Sequence, residues 1–307
     1  MHMIYTCTVN PSLDYYLKVE KEIEIGEVNR SINEFYTAGG KGVNVSIVLN
    51  NLMIPSKAIG FLGGFVKDYY LSFLKGYPFI QPIFTGINGN NRINIKINGK
   101  KETDLNTNGP HITDEEFERF LKRALKADEG DIFILSGNVQ SEIYSRIIAM
   151  IEELSRRNVK IILDTNPVLI RDCLKYKPLL IKPNLDELEE LVEKTIHSEE
   201  EIYESAKKLV EAGAKNVIVS LGSDGAILAD QSGIYKSQAV AGHVVSTTGC
   251  GDAMVGAYVF NIQRGANAME AFKYASAAGS ATAFVDGLAT RNEIETWYKE
   301  IEVERIQ

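Results

Sequence analysis

Short apolar runs alternate with segments of helical period along most of this chain. Ile4–Val9, Lys57–Leu62, Ile132–Leu135, Val159–Leu163, Leu179–Ile181 and Val217–Leu221 are apolar almost throughout, as strands covered on both faces must be. Between them apolar residues recur every three or four positions: over Val43–Leu52, in Phe117, Phe120, Leu121, Ala124 and Leu125, in Ile143, Ile147, Ile151 and Leu154, from about Leu185, and over 201–212. Thr113-Asp-Glu-Glu116 and Asn184-Leu-Asp-Glu187 are capping boxes that start two of these helices. Parallel strands cannot be joined by a tight turn, so each connection crosses over, usually as a helix. The alternation therefore predicts an α/β fold, a mostly parallel sheet with helices on both faces. No stretch rich in proline, glycine or serine divides the chain, and 1–307 reads as one domain.

One segment departs from this rhythm. Arg92-Ile93-Asn94-Ile95-Lys96-Ile97 alternates strictly, so a strand here carries Arg92, Asn94 and Lys96 on one face and the isoleucines on the other. Asn98-Gly99 is a tight hairpin signal, and Lys100–Asn106 is expected to return antiparallel. A lone hairpin is marginal in water; residues 13–19 and 31–37 have strand-like patterns and supply partners. These predict a small β-sheet lid formed by insertions at about 11–37 and 91–106. Its apolar face is expected to pack either within the chain or against a second copy, as a homodimer through the lid.

Chemistry concentrates in Ser246-Thr247-Thr248-Gly249-Cys250-Gly251-Asp252-Ala253, where an apolar helical pattern begins at once (Met254, Val255, Ala257, Tyr258, Phe260). The glycines let backbone amides converge. A helix start adds unpaired N–H groups and the positive end of a dipole. Such a place suits an anion, phosphate above all. A carboxylate such as Asp252 repels that anion unless its task is to take a proton. An anion cradle with a base is what phosphoryl transfer to a hydroxyl requires. The plainer reading of the same residues is a loop with an Asp N-cap. Cys250 likewise is either a thiol activated by the helix end or a small residue suited to a tight turn.

Gly39-Gly40-Lys41-Gly42-Val43-Asn44 opens another helix at a glycine-rich loop. It is not a Walker A loop, since no Ser or Thr follows Lys41, and it is not a dinucleotide fingerprint. Lys41 together with Arg92 fits a substrate that already carries a phosphate. Asn10-Pro11-Ser12-Leu13-Asp14 follows the first strand, on the side where open α/β sheets bind ligands. Asp14 either accepts hydrogen bonds from substrate hydroxyls or serves a turn. The Asn184–Glu187 cap does not exclude a second duty, organising Mg²⁺ and its waters. Ser220-Leu221-Gly222-Ser223-Asp224-Gly225 ends a strand with glycines that either admit a nucleotide or make a plain turn.

Charge and cysteine usage narrow the partners. A formal net charge of −8 without a basic run argues against nucleic acid, and a local site can still be positive enough for an anionic substrate. No apolar run is long enough to span a bilayer and no signal peptide is visible, so no membrane partner is expected. Cys7, Cys173 and Cys250 are scattered without metal or redox spacing, and the four histidines lie far apart. This fits a reduced, cytoplasmic protein with no His- or Cys-based metal site.

In order, these motifs resemble the ribokinase-like (PfkB) family of carbohydrate kinases: Asn-Pro-x-x-Asp, Gly-Gly-Lys-Gly-x-Asn, Arg-x-Asn on a lid strand, Lys-Pro-Asn-x-x-Glu, Ser-Leu-Gly-x-x-Gly and Gly-x-Gly-Asp. The resemblance spans about residues 3 to 292 and is strongest to the phosphosugar branch, through Gly26–Arg30, Arg92–Lys96, Gly109–Thr113 and Gly287–Arg291. It implies a three-layer α/β/α fold and a kinase that uses ATP and Mg²⁺ on a ketohexose phosphate. The first expectation is D-fructose 1-phosphate to fructose 1,6-bisphosphate, with tagatose 6-phosphate as the alternative. It implies that Asp252 is the catalytic base and that the amides of Gly249, Cys250 and Gly251 form the anion hole. Asp14, Gly39, Gly40, Lys41, Asn44, Arg92 and Asn94 would bind the sugar phosphate. Lys182, Asn184, Ser220, Gly222 and Gly225 would serve the nucleotide, and Asn184 and Glu187 the metal. The sequence departs from the family pattern at Cys250, at Asn91, at Ser136-Gly137-Asn138-Val139-Gln140 and at Asp164-Thr165-Asn166-Pro167. These leave the base and cradle intact and bear on which sugar is used. The rivals are a kinase for a neutral sugar or nucleoside, a non-catalytic sugar-phosphate sensor, and a plain α/β binding module.

Overall fold

The computed structural model describes residues 2–100 and 102–306. β1 (Ile4–Thr8) opens the main sheet; the chain leaves it for β2 (Ser12–Val19) and β3 (Ser31–Gly39), then returns through α1 (Lys41–Asn51) to β4 (Ser56–Gly63). α2 (Gly64–Leu74), β5 (Ile80–Pro82) and β6 (Thr85–Ile87) precede a second excursion, β7 (Arg92–Asn98) and β8 (Glu102–Leu105). Strands and helices then alternate: α3 (Asp114–Ala124), β9 (Ile132–Ser136), α4 (Tyr144–Arg156), β10 (Lys160–Asp164), α5 (Pro167–Cys173), β11 (Leu180–Ile181), α6 (Leu185–Val192), α7 (Glu199–Glu211) and β12 (Asn216–Ser220). The chain closes with β13 (Ala226–Asp230), β14 (Gly233–Ser237), α8 (Cys250–Gln263), α9 (Ala268–Ala283), α10 (Arg291–Tyr298) and β15 (Val303–Arg305).

The main sheet runs β15-β14-β13-β12-β11-β10-β9-β1-β4-β5, with β6 also on β4. Pairing is parallel from β12 to β5 and antiparallel from β12 to β15. Alternate residues of each strand face opposite layers, which explains why the central strands are apolar throughout. Tyr5, Phe133, Leu163 and Val219 pack under α3 to α7, while Ile4, Ile134, Ile162 and Ile218 pack under α1, α8, α9 and α10. This is the ribokinase-like three-layer arrangement. The outermost strands are short: β5 ends in Pro82, and β15 carries Glu304 and Arg305. Among the described residues no helix is long and apolar enough to cross a membrane.

The second sheet has the order β3-β2-β7-β8. The expected return over 100–106 includes Lys101, which lies outside the described residues; the strand is β8, antiparallel to β7. β2 pairs with β7 in parallel, placing Ser12 opposite Arg92 and Asp14 opposite Asn94. The polar face is covered at Asn94, which is 4% exposed; Arg92 and Lys96 on that face are half-buried, as are Ile93, Ile95 and Ile97 on the other. The reason is local: Arg92 and Asn94 find oxygen partners at Asn10 and Asp14, beyond the end of β1. On the outer face Tyr15 and Tyr36 stack with ring centroids 4.3 Å apart.

Candidate active site

Loops at the carboxyl ends of β1, β9, β10, β11 and β12 converge on the start of α8. Gly249 is the N-cap of α8, with φ 82°. The helix is apolar all round and buried from Ala253 to Phe260, packed between α1 and α9. Its first turn is therefore fixed by the core. Asp252 lies in that turn and is 5% exposed. Asn44, on α1, donates from Nδ2 to Asp252 Oδ2 at 2.8 Å. Burial pushes the Asp252 carboxyl up to about 7; the charge of Asp164 adds to this, and Lys41, the Asn44 hydrogen bond and Lys182 oppose it. A carboxyl that titrates there is matched to taking a proton at neutral pH.

Asp164, at the end of β10, organises the cations. It is 1% exposed; Lys41 Nζ stands 3.3 Å and Lys182 Nζ 3.5 Å from its Oδ1. Burial raises the Asp164 carboxyl, but Lys182 and Lys41 more than reverse this and hold it below the usual range. Lys41 is held above its usual range chiefly by Asp164, with burial acting against this and Glu187 and Asp252 supporting it. Lys41 Nζ also lies 3.8 Å from Glu187 Oε1. Lys182 is buried at 4% exposure, and a Cβ on Gly251 would stand 2.8 Å from its Nζ. The missing side chain lets this ammonium reach the first turn of α8. The Cys250 N–H is directed at Thr247 O at 3.4 Å, while the N–H groups of Gly251 and Asp252 have no carbonyl four residues back within the helix. Burial, then the charge of Asp252, pushes the Cys250 thiol up to about 11. That direction favours a small residue suited to the first turn of α8 over an activated thiol.

On the small-sheet side, Ser12 Oγ and Asn94 Nδ2 donate to Asp14 Oδ1 at 2.7 Å and 2.9 Å. A Cβ on Gly39 would overlap this carboxylate. Gly40 caps α1, with no side-chain bond to its first turn. Arg92 donates from Nε to Asn10 O at 3.2 Å and from Nη1 to Thr107 O at 3.3 Å; burial lowers its pKa and Asp14 opposes that. A polar cavity of about 640 Å³ lies here, lined by Asn10, Arg92, Asn108, His111, Asn138 and Gln140 among others. Two residues differ from expectation. Lys41 does not line this cavity with Arg92, because the Asp164 and Glu187 carboxylates draw its ammonium to the Asp252 side. Asn44 gives its amide to Asp252.

On the far side, Asn184, Ser220 and Gly222 line a cavity of about 790 Å³ together with His197, Glu199 and Lys236. Gly225 lies off its wall: φ is 88°, its carbonyl accepts from the Leu221 N–H at 2.9 Å, and it closes the turn. Asn184 Oδ1 accepts from the Glu187 N–H at 2.8 Å and Glu187 Oε2 from the Asn184 N–H at 2.9 Å. The Asn184 side-chain oxygen is thus taken by the cap, while Glu187 Oε1 faces Lys41. Among the described residues no group of three or more His, Cys, Asp or Glu is arranged to hold a metal.

Asp164, Glu199, Lys236, His111 and Gln140 are not among the residues expected here. Asp164 had one signal, its place at the carboxyl end of an apolar strand; His111 and Gln140 lie on loops within the stretches compared with the family pattern, while Glu199 opens α7 and Lys236 lies in β14 with no local sign of a site.

A buried carboxyl in the first turn of a buried helix, with two ammoniums beside it, belongs to an enzyme that moves phosphoryl groups. The chain belongs to the pfkB family of carbohydrate kinases, which it matches over residues 8–295. It is 37% identical to the 1-phosphofructokinase of Bacillus subtilis (strain 168), over 99% of this chain and 100% of the relative. It is 35% identical to the D-tagatose-1-phosphate kinase of Bacillus licheniformis, over 98% of this chain and 99% of the relative. The tetrameric inhibited form of phosphofructokinase-2 from Escherichia coli superposes with a TM-score of 0.90 at 25% identity, covering 98% of this chain and 99% of that one. Ribokinase from Thermotoga maritima shares the fold, with a TM-score of 0.79 at 20% identity over 97% of this chain and 100% of that one.

Proposed function

We propose that this kinase transfers the γ-phosphoryl group of ATP to the C6 hydroxyl of D-fructose 1-phosphate, giving fructose 1,6-bisphosphate and ADP. The observation that carries the reading is the buried Asp252 carboxyl in the first turn of α8, accepting from the Asn44 amide at 2.8 Å, where burial favours its taking a proton. As the C6 oxygen bonds to the γ-phosphorus, Asp252 takes the hydroxyl proton. The bond to the β–γ bridging oxygen breaks and ADP leaves with that electron pair. The amides at Gly249 and Gly251, with that of Cys250 once it leaves its long contact to Thr247 O and with Lys182 above Gly251, stabilise charge on the moving group. Lys41, tethered by Asp164 and Glu187, adds positive charge on the same side.

Arg92 receives the 1-phosphate in the polar cavity, where Nη2 remains for an anion. Asp14, oriented by Asn94 and made room for by Gly39, accepts from the sugar hydroxyls, with Gly40 beside it. The cavity at Asn184, Ser220 and Gly222 takes the nucleotide. The residues present fit Mg²⁺ carried in by ATP better than a protein cage: Glu187 Oε1 is left over from the cap, and Asp164 Oδ2 is a buried acceptor without a partner. Glu187 and Asp164 would hold Mg²⁺ or its waters, and the ion would supply positive charge to the transferring phosphates. The small sheet closes its polar face over the sugar and excludes water, which would otherwise accept the phosphoryl group. Its outer face, with Tyr36, Leu105 and Ile32 exposed, joins a second copy as a homodimer. The setting is the cytoplasm, where ATP and reducing conditions coincide.

A second reading, tagatose 1-phosphate, is favoured by the name of the Bacillus licheniformis relative. That sugar differs from fructose 1-phosphate at C4 alone, whereas tagatose 6-phosphate, the alternative drawn from sequence, carries its phosphate at the opposite end. A coupled ADP assay across fructose 1-phosphate, tagatose 1-phosphate, tagatose 6-phosphate and fructose 6-phosphate tests this. The highest kcat/KM is expected for fructose 1-phosphate. A 6-phosphate preferred over both 1-phosphates overturns the reading; binding without ADP release would replace it with the sensor.

A further inference from the structure

Two stretches, of which the mechanism uses only Asp164, meet in space. Gly137-Asn138-Val139-Gln140 leaves β9, and Asp164-Thr165-Asn166 ends the neighbouring β10. They are knit side to side. The Gly137 N–H donates to Asp164 O at 2.9 Å, Thr165 Oγ1 donates to Gly137 O at 2.6 Å, and the Val139 N–H donates to Asn166 Oδ1 at 2.7 Å. Asn166 Nδ2 donates to Asn138 Oδ1. The far end of the loop is tied as well, since Gln140 Nε2 donates to Pro110 O at 3.1 Å. Asn138 and Gln140 line the polar cavity together with Arg92, and Asn166, outside that lining, is bonded to Asn138 and Val139.

Asn166 shows a second peculiarity. It is the N-cap of α5, a position where asparagine usually accepts a hydrogen bond from its own helix. Its side chain makes no such bond. Both ends of its amide go to the loop at 138–139 instead. Two residues upstream, Asp164 grips Lys41 and Lys182. The same short stretch therefore holds the phosphoryl-transfer cations and the cavity wall in one frame.

We propose that Asn166 is a positioning residue for the sugar phosphate, fixing through Asn138 and the Val139 amide one wall of the cavity that Arg92 lines, and that the Asn138–Asn166 pair sets which ketohexose phosphate the cavity accepts. The inference rests on the reading that this cavity holds the sugar phosphate. A side-chain amide holds an acceptor oxygen and a donor NH₂ in one fixed plane. Truncating Asn166 releases two adjacent loop residues at once and lets the wall drift relative to the fixed guanidinium. The C4 hydroxyl, where fructose and tagatose differ, is then read less sharply.

The test uses the full chain with Asn166→Ala, Asn138→Ala, the double variant and Arg92→Ala. KM and kcat are measured for fructose 1-phosphate and tagatose 1-phosphate at saturating ATP, and KM for ATP at saturating sugar phosphate. Asn166→Ala and Asn138→Ala are each expected to raise the sugar-phosphate KM about tenfold, to bring the kcat/KM ratio of the two sugars closer to one, and to leave the ATP KM within about twofold of wild type. The double variant is expected to be no worse than the worse single one, because the pair acts as a unit. A wild-type sugar-phosphate KM and sugar ratio in Asn166→Ala, an equal rise in both KM values, or additive single effects would each overturn the proposal. The Asn138 side chain is exposed, so Asn138→Ala keeps the test open if Asn166→Ala fails to fold. Arg92→Ala separates the two levels. If it leaves the sugar-phosphate KM unchanged, the cavity assignment fails and takes this inference with it; if it raises that KM while Asn166→Ala does not, only the inference falls.

Discussion

Replacing Asn44 by leucine removes the amide that donates to Asp252 Oδ2 at 2.8 Å while filling the space a water would need. A hydrogen bond to a charged group is worth about 1.5–3 kcal/mol, and one pKa unit corresponds to about 1.4 kcal/mol. The donor favours the ionised carboxylate, so its loss should raise the Asp252 pKa by about 1–2 units above the present value of about 7. At pH 7 the ionised fraction would fall from about one half to roughly 1–10%. The assay is kcat/KM for fructose 1-phosphate from about pH 5 to about pH 10, which reports the base of the free enzyme. Wild type should rise tenfold per unit below its midpoint and flatten above it. Asn44→Leu should be roughly 5–50-fold slower at pH 7 and recover in alkali. A variant profile lowered by one factor at every pH, with the midpoint unmoved, would refute the reasoning and return Asn44 to the role of a substrate ligand.

Asp252→Asn should lose about 10²–10⁴-fold in kcat/KM while still binding ATP. It should also be the more stable protein in alkali. The folded carboxyl titrates at about 7 against an ordinary value of 3.8, so the native state holds its proton longer than the unfolded chain does. Wild-type stability therefore declines as pH rises through that window, and the asparagine removes the decline. Thermal melts at pH 8 should favour the variant and melts near pH 4 should coincide. Gly251→Ala should raise helix stability slightly yet displace Lys182 Nζ, which a Cβ would meet at 2.8 Å; a drop in kcat with an undiminished Tm is expected, and unchanged kcat would free Lys182 from phosphoryl transfer. Leu105→Lys on the outer face of the small sheet should shift the protein to monomers in sedimentation; an unaltered oligomer would place the interface elsewhere.

Much of the layered fold is legible in local pattern. Ile132–Leu135 and Val217–Leu221 read as strands because both faces are buried, and Thr113 and Asn184 announce helices through side chains that cap them. α2 gives no such sign: its N-cap is Gly63, which has no side chain to offer. β14 pairs with β15 across the length of α8, α9 and α10, and no local pattern encodes so distant a partner. The site divides in the same way. Asp252 is legible because glycine, helix start and carboxylate fall within a few residues. Asp164 is not, since nothing near it tells which lysines will reach it. The direction of the Lys41 ammonium is equally hidden: Asp164 at the end of β10 and Glu187 on α6, both far away in sequence, decide where it points.

The margins of the main sheet also matter for life at high concentration. A long ribbon of parallel strands invites neighbours to continue it, molecule upon molecule, into fibres. Here one rim stops at a three-residue strand ending in Pro82, which has no amide hydrogen to give, and the other at a three-residue strand carrying opposite charges. The polymerisable register is closed at both ends, and β15 does half of that sealing.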